Sequence, residues 1–332
     1  METAPSVEEL AVRREPRNGS WLAAVRNELR LGHYLPLEVA SVAAFAGGAF
    51  GVLALAAFLI VGEPPSWAGP GVQRLVLGLA GAGLACIAWG ALVEPWRLRV
   101  RELRLRSPKV RGRPLRLAHL SDLHVRTWGA YEQRVLDTVR GLAPDAVLLT
   151  GDYSAGPGRL ADAERLLREL AALAPCFAVR GNCEFMRPLP PAPAGPRWLP
   201  NRAAKLDLAG TPVTVFGAEP GDDGAVRALG EPADPERLAV LLYHYPDFVP
   251  QLAQLPYDLM LCGHTHGGQI RLPWIGALAS LSRAGTRYAA GLFQRDGKSA
   301  YVTHGIGTES CGLPAVRFLC PPEIALFVIG PD

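Results

Sequence analysis

This sequence lacks a large net charge, paired cysteines and a recognisable export signal. Its 332 residues carry a net charge of only +3, too little to argue for a nucleic-acid partner, and none is expected. The six cysteines, Cys86, Cys176, Cys183, Cys262, Cys311 and Cys320, include no CxxC pair. A chain this long needs no disulfide framework, so the thiols read as free and the compartment as reducing. A secretory signal is not expected: the first apolar region is too long, starts late and is followed by a second. Arg13-Arg14 is a twin arginine, but Glu15-Pro16-Arg17 follows it rather than an apolar segment.

Charge is also missing locally. Val39 to Gly62 and Leu75 to Val93 contain no charged residue. At 1.5 Å per residue, stretches of this length can cross a hydrocarbon core of about 30 Å. The alternative is a pair of buried soluble helices. Gly78 and Ala82 give a small-xxx-small spacing for close helix packing, and Trp67, Trp89 and Trp96 lie near the ends, where an aromatic belt would sit. Arg13, Arg14, Arg17, Arg26 and Arg30 precede the first stretch, and a run from Arg97 to Arg116 follows the second. Between them lie only Glu63 and Arg74. The positive-inside rule then places both ends in the cytoplasm, giving a multi-pass protein of the inner membrane whose main domain faces the cytoplasm. The basic run can also draw anionic lipid headgroups, at about 1 kcal/mol per residue, or serve topology alone. Trp21, Val25 and Leu29 form one apolar stripe with basic flanks, which fits an interfacial helix or a solvated one. The expected organisation is a tail at 1–36, a transmembrane hairpin at 37–96, a basic juxtamembrane linker at 97–114 and an α/β domain at 115–330.

From Leu115 the pattern alternates between short apolar runs and helical periodicity. Strands are expected at 115–120, 145–150, 177–180, 211–215, 239–243 and 258–262, with further short ones at 287–294, 299–303 and 323–329. Helices are expected at 131–142 and 159–173, and the proline-rich stretch 187–200 reads as a loop. The polar residues fall at the strand ends, where an α/β sheet presents ligands. The tags are Asp122-Leu123-His124, Gly151-Asp152, Gly181-Asn182-Cys183-Glu184, His244 and Gly263-His264-Thr265-His266. Carboxylate oxygen and imidazole nitrogen without thiolate suit manganese, iron or zinc, and the donor set does not choose among them. His33, His119 and His304 are read as structural.

The ordered series D-x-H, G-D, G-N-x-[DE], H, G-H-x-H resembles the calcineurin-like metallophosphoesterase family over roughly 115–330. Tyr301-Val-Thr-His-Gly-Ile-Gly-Thr and Pro321-Pro322-Glu323-Ile324 resemble its membrane-associated branch. The resemblance implies a four-layer α-β-β-α sandwich holding two divalent metals, with manganese favoured. Asp122, His124 and His266 would hold one, Asn182, His244 and His264 the other, and Asp152 would bridge them. Catalytic roles would fall to Asn182, Cys183 and His264, and a water activated between the metals would attack phosphorus in line.

One position departs from the family pattern. Where the family usually has a histidine after the metal-binding asparagine, this chain has Cys183. A neutral thiol is a weak donor, and an alkyl monoester with its basic leaving group gains much from a general acid. A pyrophosphate, which leaves as a phosphate, needs little protonation. The substrate therefore tilts towards a pyrophosphate or activated diester, unless His304 or His119 supplies the proton or the enzyme is a slow one. With the membrane segments, this resembles the UDP-2,3-diacylglucosamine pyrophosphatases of lipid A synthesis, which give UMP and a lipid phosphate. Phe185, Met186, Trp198 and Leu199 would pack either on an acyl chain or within their own loop, and Arg126, Arg187 and Arg202 are candidates to meet phosphate. The alternatives are a broad-specificity phosphodiesterase or phosphatase and, in another class, a non-catalytic membrane scaffold that keeps metal for folding.

Overall fold

Runs such as Leu115-Arg-Leu-Ala-His-Leu120 are apolar on both faces, which suits strands covered on both sides. The computed structural model describes residues 35–62, 69–156, 159–186, 195–228, 234–309 and 315–332. The N-terminal tail with its interfacial stripe, the break at 63–68, Arg187, Cys311 and most of the proline-rich loop lie outside these residues.

One sheet contains β1 (Arg99–Arg106), β2 (Leu115–Leu120), β3 (Ala146–Leu149), β4 (Cys176–Ala178), β5 (Arg197–Trp198) and β14 (Glu323–Gly330), in the order β1-β14-β2-β3-β4-β5. The other contains β6 (Arg202–Leu208), β7 (Thr211–Gly217), β8 (Leu238–Leu242), β9 (Leu259–Cys262), β12 (Gly291–Arg295) and β13 (Lys298–Val302), in the order β12-β13-β9-β8-β7-β6. Strands β2, β3, β4 and β5 run parallel, as do β7, β8, β9 and β13. The sheets pack face to face through Leu117, Leu148, Val215, Val240, Leu261 and Phe327. The outer face of the first is covered by α3 (Ala130–Leu142) and α4 (Leu160–Ala171), which bury Val135, Val139, Leu166 and Leu170. A 3-10 segment at Pro246–Gln254 and the short α6 (Asp223–Ala228) cover the second. These are the layers of the expected four-layer α-β-β-α sandwich, with the fourth built mainly of 3-10 turns.

Residues 99–106 correct the expected organisation. They form an edge strand of the first sheet, parallel to β14, rather than a linker. Only Leu103 is buried and Leu105 half-buried, while the arginines stay exposed. Charge along an edge strand also blocks pairing with another chain.

Ahead of the sheets, α1 (Leu35–Val61) and α2 (Pro70–Leu92) pack against each other. The expected pair of membrane spans is matched only in part. Among the described residues, one helical stretch, Pro70–Trp96, is long and apolar enough to cross a membrane, and Ala46–Val61 is a shorter apolar stretch. Leu199 and Trp198 are not free for a ligand: Leu199 is buried in the inter-sheet core and Trp198 packs edge-on against Tyr153 at 5.5 Å.

Candidate metal centre

The parallel strands bring the polar tags to one edge. Asp122 and His124 follow β2, Asp152 follows β3, and Asn182 opens α5 (Asn182–Met186) after β4. His244 follows β8, and His264 and His266 follow β9. Backbone bonds join these loops: Asp122 N–H to Gly151 O at 2.9 Å, His124 N–H to Asp152 O at 3.0 Å, and Gly263 N–H to His244 O at 3.0 Å. Asp122, His124, Asp152, His264 and His266 all have positive φ, from 39° to 72°. Side-chain-bearing residues rarely adopt this region, and such strain clusters where a site demands it. Close approach also demands glycine at 263, where a Cβ would lie 2.0 Å from Ser121 Oγ and 2.3 Å from Asp122 Oδ2.

Two sets of donors converge. In the first, His124 Nε2 and His266 Nε2 are 3.1 Å apart, their rings stacked at 4.9 Å, with Asp122 Oδ1 3.7 Å from His266 Nε2. Burial pushes His124 down to about 4 and His266 well below the ordinary histidine range. In the second set the tautomers are fixed from behind. His244 Nδ1 donates to Thr150 O at 2.6 Å and His264 Nε2 donates to Leu281 O at 3.0 Å. The remaining lone pairs, His244 Nε2 and His264 Nδ1, face Asn182 Oδ1 at 2.9 and 3.1 Å. With both imidazoles neutral, three acceptors meet at one point and a cation satisfies all three; without one, His244 takes up a proton instead.

Asp152 lies between the sets, with Oδ2 3.5 Å from His244 Nε2 and 3.7 Å from His124 Nε2. The pocket is short of positive charge. Burial, reinforced by Asp152, holds Asp122 up to about 7. At His244 burial opposes the charge, yet the Asp152 carboxylate raises it to about 10. A carboxyl that keeps its proton near neutrality beside an imidazole that seeks one fits a site built for divalent cations. Asp122 with His124 and His266, and Asp122 with Asp152 and His244, each form a buried group able to hold a metal ion. Thus the fold brings together all the residues expected as ligands.

The supporting shell was only partly visible in the sequence. The buried Glu184 carboxylate accepts N–H from Asp152, Tyr153 and Gly181, each at 2.8 Å, and so fixes the loop that carries Asp152. Its place in the Gly-Asn-x-Glu tag was the available signal. Cys183 N–H donates to Asp152 Oδ1 at 2.9 Å. Burial first, then the Asp152 and Glu184 carboxylates, push the Cys183 thiol far up, so it stays neutral. Arg317 went unnoticed in the sequence. It is fully buried, donates to Cys320 O at 3.1 Å and His304 O at 2.8 Å, and lies 3.4 Å from His266 Nδ1. His304 Nδ1 donates to Pro321 O at 3.1 Å and His119 Nε2 bonds Thr150 Oγ1 at 2.8 Å; both are structural bonds. Arg126 donates to Thr308 O at 3.2 Å, and Arg202 is exposed at the start of β6.

Paired sheets that deliver imidazoles, carboxylates and an amide to one edge define a metal-dependent phosphoester hydrolase. The calcineurin-like phosphoesterase profile matches residues 115–268, and the chain belongs to that family. It is 31% identical to the phosphodiesterase YaeI of Escherichia coli, over 70% of this chain and 88% of that one. It is 27% identical to the UDP-2,3-diacylglucosamine pyrophosphatase LpxG of Chlamydia trachomatis, over 77% of this chain and 96% of that one. It is also 28% identical to the uncharacterized metallophosphoesterase YkuE of Bacillus subtilis, over 64% and 78%.

Proposed function

We propose that this hydrolase is held at the cytoplasmic face of a membrane and cleaves a lipid-linked pyrophosphate, such as UDP-2,3-diacylglucosamine, to UMP and a lipid phosphate. The observation that carries this reading is Cys183. At the position where the family usually has histidine stands a buried thiol kept neutral by its surroundings. A pyrophosphate is the substrate class least in need of the missing acid. The similarity to LpxG supports the same substrate class.

Asp122, His124 and His266 would hold one divalent ion, Asn182, His244 and His264 a second, with Asp152 shared. When bound, such a pair neutralises phosphoryl charge and lowers the pKa of water. The chain's own part is to position these groups. Thr150 O and Leu281 O fix the His244 and His264 tautomers, and Glu184 fixes the Asp152 loop. Water adds to one phosphorus, the P–O–P bond breaks, and the second phosphate leaves as an anion.

The test is a substrate panel on full-length protein reconstituted with manganese, iron or zinc. UMP release from the lipid pyrophosphate is the expected result. Turnover of bis-p-nitrophenyl phosphate without UMP release would sink the lipid reading and favour a broad phosphodiesterase, the activity named for YaeI. Asp152→Ala is expected to lower the content of both metals, and His264→Ala of one.

A further inference from the structure

The end of α2 and the metal loops form one continuous piece of structure. Gly90 lies in the last turn of α2, where carbonyls lack intrahelical partners, and its oxygen accepts Arg317 N–H at 2.9 Å. A Cβ at this position would meet Val316 Cγ1 at 2.8 Å and Arg317 O at 2.9 Å, so glycine permits the approach. The 315–320 segment then pairs with the loop that leaves His266: Phe318 N–H bonds Gln269 O and Arg271 N–H bonds Phe318 O, both at 2.9 Å. Arg271 opens the hairpin of β10 (Arg271–Leu272) and β11 (Gly276–Ala277). Its tip, at Trp274, is three residues on, at most about 10 Å away.

This part of the surface is unusually apolar. Trp274 is 103% exposed, Ile275 71%, Leu281 48% and Leu319 47%. Leu281 and Leu319 sit beside the metal loops, and Trp274 and Ile275 lie at the tip of the hairpin whose Arg271 donates to Gly267 O at 2.8 Å. The Leu281 carbonyl accepts from His264, and Leu319 precedes Cys320, whose thiol donates to His266 O at 3.2 Å. Trp274, Leu281 and Leu319 have φ of 64°, 53° and 52°. Bulky residues rarely adopt this conformation. Scattered exposed leucines need no explanation, but these belong to segments linked through Phe318 and Arg317 to the end of an apolar helix whose own surface is almost uncovered.

We propose that this rim rests in the interfacial layer of the bilayer crossed by α2, so that the metal centre opens on the membrane surface and takes a phosphate carried by an amphiphile lying there. The proposal rests on the reading of α2 as a membrane span. Trp89 and Trp96 mark the headgroup level at the end of that span, and exposed Arg97 follows them. Gly90 lies at this level, and so does the segment bonded to it. A tryptophan at the hairpin tip suits that depth, since its ring is apolar and its N–H is polar.

The test uses full-length protein in phosphatidylcholine–phosphatidylglycerol nanodiscs, with or without dibrominated lipid. Trp274 fluorescence is read as the difference between the parent and Trp274→Phe. Brominated lipid is expected to remove at least half of this signal, and aqueous iodide to quench it at least fivefold less than free tryptophan. Ile275→Trp in the Trp274→Phe background should behave alike. A signal untouched by brominated lipid overturns the proposal, whether iodide reaches it freely (a tip in water) or not (a tip covered by a second copy). The measurement needs no turnover. Quenching by brominated lipid without UMP release would leave this proposal standing and sink only the substrate reading.

Discussion

Replacing Glu184 with glutamine tests whether the metal centre is positioned from behind. The Glu184 carboxylate takes three backbone N–H bonds, two on Oε2 from Asp152 and Gly181 and one on Oε1 from Tyr153. A glutamine oxygen can keep the first two, but its NH₂ then faces the Tyr153 N–H. One buried donor left unpaired costs about 1–3 kcal/mol, and the two retained bonds lose charge assistance worth about 1 kcal/mol each. Against this stands a gain: burial first, then Asp152, hold Glu184 up to about 7, so the anion is itself expensive at neutral pH. The opposing terms leave a stability loss at pH 7 of about 2 kcal/mol or less. Function should suffer more, because the Asp152 loop loses its anchor; losses of this kind run to about 10–100-fold in metal affinity or activity. The assays are denaturation in detergent, metal content, and turnover of bis-p-nitrophenyl phosphate. Activity within twofold of the parent at full metal content would refute the positioning role. The metal-free protein adds a signed check. A carboxyl raised in the fold holds a proton that the unfolded chain has released, so its contribution to stability falls as pH rises from about 4.5 to about 7. The glutamine variant should lack that component.

Three further outcomes follow from the geometry. Gly90→Val should force α2 away from Val316 and Arg317 at about 1–3 kcal/mol, lowering the melting temperature by several degrees; an unchanged transition would mean the contact is slack. Cys183→His should gain phosphomonoesterase activity by at least tenfold by restoring a leaving-group donor, and a loss of every activity would show that the thiol has a role of its own. Burial holds His119 down to about 3. It stays neutral in the fold while the unfolded chain takes up a proton below about 6.5, so stability should drop as pH falls from about 6.5 to 3, by up to about 1.4 kcal/mol per unit. His119→Gln should remove that component in denaturation curves taken across this range.

The candidate ligands were legible because each is tied to a strand end, and a strand end can be read from a short apolar run. Asp122, Asp152 and His264 stood out for that reason, and two-fold alternation was not needed. The edge strand β1 was hidden by its composition. In Arg-Val-Arg-Glu-Leu-Arg-Leu-Arg only Leu103 is buried, and a run of arginines after an apolar helix reads as a topology signal. Both uses are physically compatible, since an edge strand can be as charged as a linker. Arg317 gave no local sign at all. Its guanidinium is held by carbonyls of Gly307, His304 and Cys320, and such a partner set exists only after the chain has closed on itself. For Trp198 and Leu199 the sequence left an acyl chain or their own loop open, because their neighbours in space, Tyr153 and the inter-sheet core, come from distant parts of the chain.

The end of the apolar helix is bonded to the segment behind the metal loops, and a truncated chain tests what that contact does. Buried Glu94, just beyond α2, accepts the Trp89 indole N–H at 2.8 Å on one oxygen and Cys320 N–H at 2.6 Å on the other. Cys320 in turn donates its thiol to His266 O. Together with the Gly90–Arg317 bond, this gives two short routes from the end of α2 to the loop that carries His266. A chain beginning at residue 97 keeps the residues of the sheets and of their three cores, so it should fold. It loses the partners of Arg317 N–H and Cys320 N–H and frees the segment beneath His266. The proposed metal site of Asp122, His124 and His266 should then weaken by about 10–100-fold, while the proposed site of Asn182, His244 and His264, whose imidazoles bond Thr150 O and Leu281 O, should weaken less. Manganese titration of the two chains reads this as one shifted binding step out of two. Equal affinities at both steps would show that the end of α2 contributes nothing to the candidate metal centre.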